Sequence, residues 1–180
     1  MVYILLGTGF EETEAIAPCD LLRRAGVETQ LVGISGKTVA GSHGIAVTAD
    51  ILPGEINWDA AEMVVLPGGL RGVASIRASH TAMDILKTAW EKELYVAAIC
   101  AGPTVLADLH ITDGRNATCF PGQTQNMGSA KLIPGAAAVQ DGRLITGTSA
   151  GCSIPFGLKL IAALRGQAAA DAIAEQIVIR

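Results

Sequence analysis

Short apolar runs rich in β-forming residues alternate with helical patterns, and this alternation restricts the possible folds more than any other feature of the chain. "VYILL" (2–6) and "ETQLVGI" (28–34) predict strands, and a helix is predicted between them from about residue 11 to residue 25, ended by Gly26. Strands that alternate with helices form a largely parallel sheet covered on both faces. The sequence therefore predicts an α/β fold whose functional sites lie beyond the carboxyl ends of the strands.

Later segments continue this pattern and add two hairpins. "AEMVVLPGG" (61–69) predicts a buried strand that runs into a turn, and "LYVAAI" (94–99) predicts another strand. Hairpins are predicted at 37–50, around "GSHG", and at 136–147, around Asp141-Gly142. Helices are predicted at 80–93, capped by Ser79, at 103–109, and in two final segments, 153–166 and 167–180.

Length and composition indicate one globular domain, residues 1–180. Half of the residues are hydrophobic, which allows a large buried core. The 13 basic and 17 acidic residues are mixed along the chain, so the sequence has no basic stripe of the kind that would predict a nucleic-acid partner. The first apolar run is short, with no basic leader, and no later stretch is as long as a membrane span. We therefore expect a cytoplasmic protein without a membrane partner.

Cysteine spacing predicts neither a metal site nor a disulfide framework. Cys19, Cys100, Cys119 and Cys152 are far apart, without a Cys-x-x-Cys pair or a histidine at ligand spacing. Cys19 and Cys152 are interpreted as small buried hydrophobic residues. A dinucleotide site after the first strand is also rejected, because Glu12 stands where the third glycine of the motif would be. We expect no metal and no organic cofactor.

Cys100 stands at the junction between a predicted strand and a predicted helix. Ala98 and Gly102 lie two residues before and after it, the spacing of small residues in the Gly-x-Ser-x-Gly nucleophile elbow. Such a turn holds the nucleophile in a strained conformation. The helix beginning at Pro103 directs N–H groups at the sulfur, which favours the thiolate. The sequence predicts an acidic, reactive thiol, and ordinary packing of a buried cysteine is the alternative.

Groups on two neighbouring loops complete the predicted site. The N–H of Ala101 and an N–H of the Gly68-Gly69 turn are positioned to hold negative charge on a substrate oxygen. Glu11, Glu12 and Glu14 begin the first helix, where carboxylates also simply favour the helix dipole. One of the three, in a partly dry pocket beside a thiolate, would retain its proton and act as a proton shuttle.

Four segments closely resemble the DJ-1/ThiJ/PfpI superfamily, in the branch of the parkinsonism-associated deglycase and bacterial ThiJ-like proteins. The resemblance implies a flavodoxin-like three-layer α/β sandwich, usually a homodimer. It implies that Cys100 is the reactive cysteine, Glu14 the protonated glutamate beside it, and Gly69 and Ala101 the backbone donors around the sulfur. The segments are "GFEETEA" (9–15), "LLRRAG" (21–26), "VVLPGG" (64–69) and "AAICAGPTVLADLHI" (97–111).

The sequence departs from the family pattern in three places. Phe120 stands where human-type members have a histidine near the cysteine, so a histidine-assisted mechanism is not expected. "GTSAGCS" (147–153) differs from the Gly-Pro-Gly-Thr pattern, which changes the pocket wall. The hairpin at 37–50 lacks the cysteines that other members carry there.

Three functions remain open on these residues. The resemblance implies a cofactor-free glyoxalase or deglycase acting on a small aldehyde or a glycated adduct through Cys100 and Glu14. The alternative is a non-enzymatic redox sensor or stress chaperone whose signal is oxidation of Cys100. An intracellular cysteine peptidase or glutamine amidotransferase is least favoured, because residue 101 is alanine and His110 is the only later histidine. His43 and His80 are expected on the surface.

Overall fold

A six-stranded sheet forms the centre of the protein in the computed structural model, which describes residues 1–179. The strands are β1 (Val2–Leu6), β2 (Thr29–Gly33), β3 (Thr38–Ala40), β4 (Ala46–Thr48), β5 (Met63–Leu66), β6 (Tyr95–Ile99), β7 (Asn116–Ala117), β8 (Lys131–Leu132), β9 (Ala138–Asp141) and β10 (Leu144–Gly147). The helices are α1 (Glu12–Arg24), α2 (Leu70–Ala78), α3 (His80–Glu91), α4 (Pro103–Asp108), α5 (Ser153–Arg165) and α6 (Gln167–Gln176).

The central sheet has the order β2-β1-β5-β6-β10-β9 and is parallel except for the edge strand β9. The predicted hairpins are confirmed: β9 pairs antiparallel with β10, and β3 with β4 in a separate small sheet. Strand β1 has β2 as its neighbour on one side and β5 on the other, so the direction in which the chain adds strands to the sheet reverses at β1. Ligand sites in such sheets lie at the carboxyl ends of the strands next to this reversal.

Side chains of the central strands alternate between two apolar cores, which makes the protein a three-layer sandwich. Val2, Ile4 and Leu6 of β1 pack in the core covered by α1, α5 and α6. Tyr3 and Leu5 face the other core, which lies under α2, α3 and α4. The predicted α/β fold with a mostly parallel sheet is confirmed.

Several predicted boundaries need correction. Helix α2 was not predicted, because Gly72 lowers the local helix propensity and the apolar residues Val73 and Ile76 are too few to show a period. The final helix ends at Gln176 rather than at residue 180, which lies outside the described residues. The two-residue strands β7 and β8 were missed because so short a pair carries no periodic signal. The predicted Ser79 cap is confirmed, since its side chain accepts a hydrogen bond from the Ala82 N–H.

Within residues 1–179, no helix combines the length and the apolar character that crossing a bilayer requires.

Candidate active site

Cys100 occupies a strained turn at the carboxyl end of β6. Its φ angle is +63°, a left-handed conformation that non-glycine residues rarely adopt. Its N–H donates to the Gly147 carbonyl at 3.0 Å, and its carbonyl accepts the Phe120 N–H at 2.8 Å. A β-carbon at Gly102 would lie 2.8 Å from the Leu66 carbonyl oxygen, so this position must remain small. The predicted strained turn between strand and helix is confirmed, and the nucleophilic role of Cys100 stays a prediction.

Two backbone N–H groups approach the sulfur of Cys100. One belongs to Ala101, the next residue, and the other to Gly69, which precedes α2 with a φ angle of +86°. Both N–H groups act to lower the pKa of the thiol. The structure thus brings the predicted donors Gly69 and Ala101 to the same side chain, although they come from loops after different strands.

Glu14 is fully buried and points from the first turn of α1 towards the same loops. Its Oε2 accepts the Gly68 N–H at 2.7 Å, and its Oε1 has no hydrogen-bond partner of good geometry among the described residues. Burial raises the pKa of Glu14 to about 7, against the lowering effect of hydrogen bonds with Cys100 and Gly68, and the charge of Glu11 raises it further. The predicted proton-retaining glutamate is therefore Glu14.

Gly68 allows the carboxyl and the thiol to approach each other. A β-carbon at this position would lie 2.6 Å from Glu14 Oε2 and 2.8 Å from the β-carbon of Cys100. Only a residue without a side chain fits between the two groups. The Gly68-Gly69 turn therefore supplies the space as well as the N–H groups of the site.

The pKa of Cys100 differs from the sequence prediction of an acidic thiol. Burial raises it to about 12, and the charge of Glu14 and the hydrogen bond to Glu14 add to this effect. The N–H groups of Ala101 and Gly69 oppose the shift but do not outweigh it. Helix α4 contains only six residues, so its dipole is small. The prediction of an independently acidic thiol is wrong, because it considered the helix and not the desolvation.

Cys100 and Glu14 titrate as a pair. Burial raises the pKa of both groups, so over the range between their two pKa values the pair holds a single proton. That proton resides on the sulfur or on the carboxyl group. Because a protonated Glu14 no longer repels the thiolate and donates a hydrogen bond to it, ionisation of the sulfur is linked to protonation of the carboxylate.

A cavity of about 340 Å³ opens onto this pair. Phe120 and Leu70 form apolar walls, and Glu11 and Glu14 are the charged groups among its lining residues in the described part of the chain. The sequence analysis named neither Leu70 nor Gln123 individually, although Leu70 lies within the loop 67–72 that was expected at the site and Gln123 directly follows the segment that contains Phe120. It did identify the loop 147–153 as unusual. The lining residues are Glu11, Glu14, Gly69, Leu70, Cys100, Ala101, Phe120, Gln123, Ser149, Ala150 and Gly151.

Glu11, Glu12 and His43 form the one group of three potential metal ligands found within residues 1–179, with ligand atoms within 4.8 Å of one another. The Glu12 carboxylate already accepts hydrogen bonds from the His43 N–H at 2.7 Å and the Ser42 hydroxyl at 3.0 Å. Although burial acts in the opposite direction, hydrogen bonds from His43 and Ser42 lower the pKa of Glu12 to about 2. These contacts attach the β3–β4 hairpin to the start of α1.

No histidine lines the cavity in the part of the chain that the structure describes. His43 is exposed in the hairpin turn, as predicted, and His110 is exposed and pairs with Asp113 at 2.9 Å. His80 begins α3. A cysteine–histidine pair of the kind used by peptidases is therefore not assembled by these residues.

The remaining cysteines lie outside the cavity lining. Cys19 and Cys119 are buried, and Cys152 is half-buried, with the Ser149 hydroxyl donating towards its sulfur at 3.7 Å. The prediction of a buried hydrophobic residue is confirmed for Cys19 and is only partly correct for Cys152.

Comparisons with known proteins show which family the chain is similar to. The model of the DJ-1/PfpI family matches residues 1–163. Protein dj-1beta of Drosophila melanogaster is 32% identical over 178 residues, covering 98% of this chain and 95% of that protein. A protein named deglycase from Pyrococcus abyssi is 33% identical over 126 residues, covering 70% of this chain and 75% of that protein. The crystal structure of an alanine mutant of a DJ-1 superfamily protein from Salmonella typhimurium superposes with a TM-score of 0.93 at 29% identity, covering 99% and 98% of the two chains.

Proposed function

Because the chain belongs to the DJ-1/PfpI family, we propose that it is a cysteine-dependent enzyme of the glyoxalase or deglycase type, acting on small reactive carbonyls. The observation that carries the proposal is the placement of Cys100 and Glu14 at one cavity, with the thiol on a strained turn and the carboxyl group buried beside it. The name deglycase of the Pyrococcus abyssi relative supports the substrate class.

Glu14 acts first as a base towards the thiol. Above pH 7 its carboxylate is ionised and takes the proton of Cys100 while the sulfur attacks the aldehyde carbon. A carbon–sulfur bond forms, and the π electrons of the carbonyl group move to its oxygen. The thiol therefore needs no low pKa of its own, since it loses its proton only as the bond forms.

The N–H groups of Gly69 and Ala101 then hold the developing oxyanion. Both already point at the sulfur, so an oxygen on the carbon attached to that sulfur lies within their reach. One such donor contributes a factor on the order of 10² to 10³ in rate. In this proposal the two donors stabilise the transition state of the addition rather than the unreacted thiol.

An α-oxoaldehyde is converted to an α-hydroxy acid without an external oxidant. Glu14 first passes the proton taken from the thiol to the oxyanion, which becomes a hydroxyl group, so its carboxylate is free again. The hydrogen of the former aldehyde carbon then leaves as a proton to Glu14 and is returned to the neighbouring carbon, while the proton of the new hydroxyl group moves to the neighbouring oxygen. The aldehyde carbon is thereby oxidised to a thioester and its neighbour reduced to an alcohol. Water then cleaves the carbon–sulfur bond, releases the hydroxy acid and restores the thiol of Cys100.

The test is turnover of methylglyoxal and glyoxal by the purified protein, with the hydroxy acid identified as product. We expect Cys100→Ser to abolish turnover, and Cys152→Ser, a matched change outside the cavity lining, to retain it. Loss of activity in both variants, or no turnover by the unmodified protein, would remove the proposal.

Oxidation sensing by Cys100 is the second candidate. Cys100 is partly exposed, whereas Cys19 and Cys119 are buried, and a protonated Glu14 donates a hydrogen bond to a sulfinate oxygen. Two equivalents of peroxide convert the thiol to the sulfinic acid and release two waters. The raised pKa of Cys100 slows this attack and places sensing second. Mass spectrometry after mild peroxide treatment decides, and oxidation mainly at Cys152 would exclude this role.

We also propose that the protein is a cytoplasmic homodimer, as the resemblance implies. Ile16 on α1 and Ile45 next to β4 are exposed aliphatic side chains whose surface a second copy would remove from water. Sedimentation equilibrium should give the mass of two chains, and the mass of one chain at all concentrations would exclude the dimer.

A further inference from the structure

The walls of the cavity are more apolar than the smallest dicarbonyls require. Leu70 is 68% exposed and Phe120 is 44% exposed, yet both line the cavity. Binding of an apolar ligand against such accessible side chains is favourable, because it removes their apolar surface from water. The cavity volume of about 340 Å³ also lies in the range of sites for larger small molecules, roughly 300–1,000 Å³.

The charge of the cavity is negative. Among the lining residues that the structure describes, the ionisable side chains besides Cys100 are Glu11 and Glu14, and no lysine or arginine faces the cavity. The Glu11 carboxylate lies 2.9 Å from the Ser42 hydroxyl, whose one proton is shared between Glu11 and Glu12. Its charge is felt at the reacting pair, since it raises the pKa of Glu14. An anionic substrate would lie next to this charge, and the one nearby group that can become a cation, His43 with Nδ1 3.5 Å from Glu11 Oε2, lies outside the cavity lining of the described residues.

We propose that the site selects uncharged α-oxoaldehydes with an aromatic or similarly large apolar substituent and rejects α-oxo acids. The substituent packs against Phe120 and Leu70 while the aldehyde carbon faces Cys100. Glu11 provides the repulsion that excludes a substrate carboxylate. This inference rests on the proposed carbonyl chemistry and adds the specificity residues Phe120, Leu70 and Glu11 to it; the bonds made and broken are the same.

Phenylglyoxal and glyoxal are the probes for the apolar wall. The unmodified protein should have the higher kcat/KM for phenylglyoxal. Phe120→Ala and Leu70→Ala should each lower the phenylglyoxal-to-glyoxal ratio of kcat/KM by roughly tenfold, the scale for losing part of an apolar subsite. Leu52→Ala truncates an exposed leucine outside the cavity lining and is the matched control. Leu70 is so exposed that its truncation should not impair folding.

Glyoxylate is the probe for the charge. Its aldehyde carbon can add to Cys100, but the adduct cannot rearrange because the neighbouring carbon is already a carboxylate, so glyoxylate is used as a competitive inhibitor of glyoxal turnover. Glyoxylate should inhibit the unmodified protein weakly, and Glu11→Gln should lower its inhibition constant several-fold, more so at low salt. The comparison is made at about pH 9, where Glu14 is ionised in both proteins. The Gln side chain retains an acceptor for Ser42, so the hairpin contact remains.

The outcomes separate this inference from the proposed function. If the unmodified protein turns over neither phenylglyoxal nor glyoxal, the proposed function and the inference both fall. If it turns over both, but the phenylglyoxal-to-glyoxal ratio does not change in Phe120→Ala and Leu70→Ala and the inhibition constant of glyoxylate does not change in Glu11→Gln, only the specificity inference is wrong.

Discussion

Replacing Glu14 by glutamine should make the protein more stable and far less active. Glu14 is completely buried, and burial is the main reason why its pKa is raised from 4.5 to about 7. A raised pKa means that the folded state binds the proton more tightly than the unfolded state does. Stability from this group is therefore present at low pH and is lost as the pH rises from 4.5 through 7. Glutamine is neutral throughout and avoids that loss.

The size of the effect follows from the two pKa values. A shift of one unit corresponds to about 1.4 kcal/mol, so ionising Glu14 in the folded state costs about 3 kcal/mol of unfolding free energy at about pH 8. The Gly68 N–H still finds an acceptor in Glu14→Gln, so the main hydrogen bond is retained. Turnover of methylglyoxal should nevertheless fall by about 10² to 10⁴, the range for a lost general base.

Urea denaturation of both proteins from about pH 4.5 to pH 8 measures this difference. The difference in unfolding free energy should be small at the acidic end and should grow by about 3 kcal/mol in favour of Glu14→Gln at the basic end. Glu12 and Glu62, whose pKa values are lowered to about 2, are present in both proteins and cancel in the difference. A difference that does not change with pH would refute the burial argument for Glu14.

If Glu14 is the base, kcat/KM for methylglyoxal should rise with pH through about 7, as Glu14 ionises. Glu11→Gln should move this rise to lower pH, because it removes a charge that raises the pKa of Glu14. A pH profile with the same midpoint in both proteins would contradict the coupling. Ser79→Ala should lower the unfolding free energy by about 1 kcal/mol in urea denaturation, since the Ala82 N–H loses its cap, while methylglyoxal turnover stays unchanged. An unchanged midpoint in urea would show that the cap is not stabilising.

Local patterns in the sequence were sufficient to predict the central strands, both hairpins and the elbow at Cys100. The position of β6 follows from the apolar run that ends at Ile99, and the strained turn follows from small residues on both sides of the cysteine. Helix α2 was missed, because a glycine within so short a helix weakens the periodic signal on which such a prediction depends.

Residue patterns alone did not show which of the three neighbouring glutamates lies beside Cys100. Only the resemblance to a family indicated Glu14. In the structure Glu12 accepts hydrogen bonds from the β3–β4 hairpin, Glu11 faces the cavity, and Glu14 is buried beside Cys100. These three environments differ because successive helix positions point in different directions, and each direction meets a segment distant in the chain.

Sequence alone determined the strands of the central sheet, most of the helices and which cysteine occupies the strand-to-helix turn, because periodicity and steric size act between residues close in the chain. Tertiary structure decided the protonation of the site. Desolvation and the charge of Glu14 raise the pKa of Cys100, and both arise only when the loops after β1, β5 and β6 meet. A pKa depends on the total surroundings of a group, and those surroundings are assembled by folding.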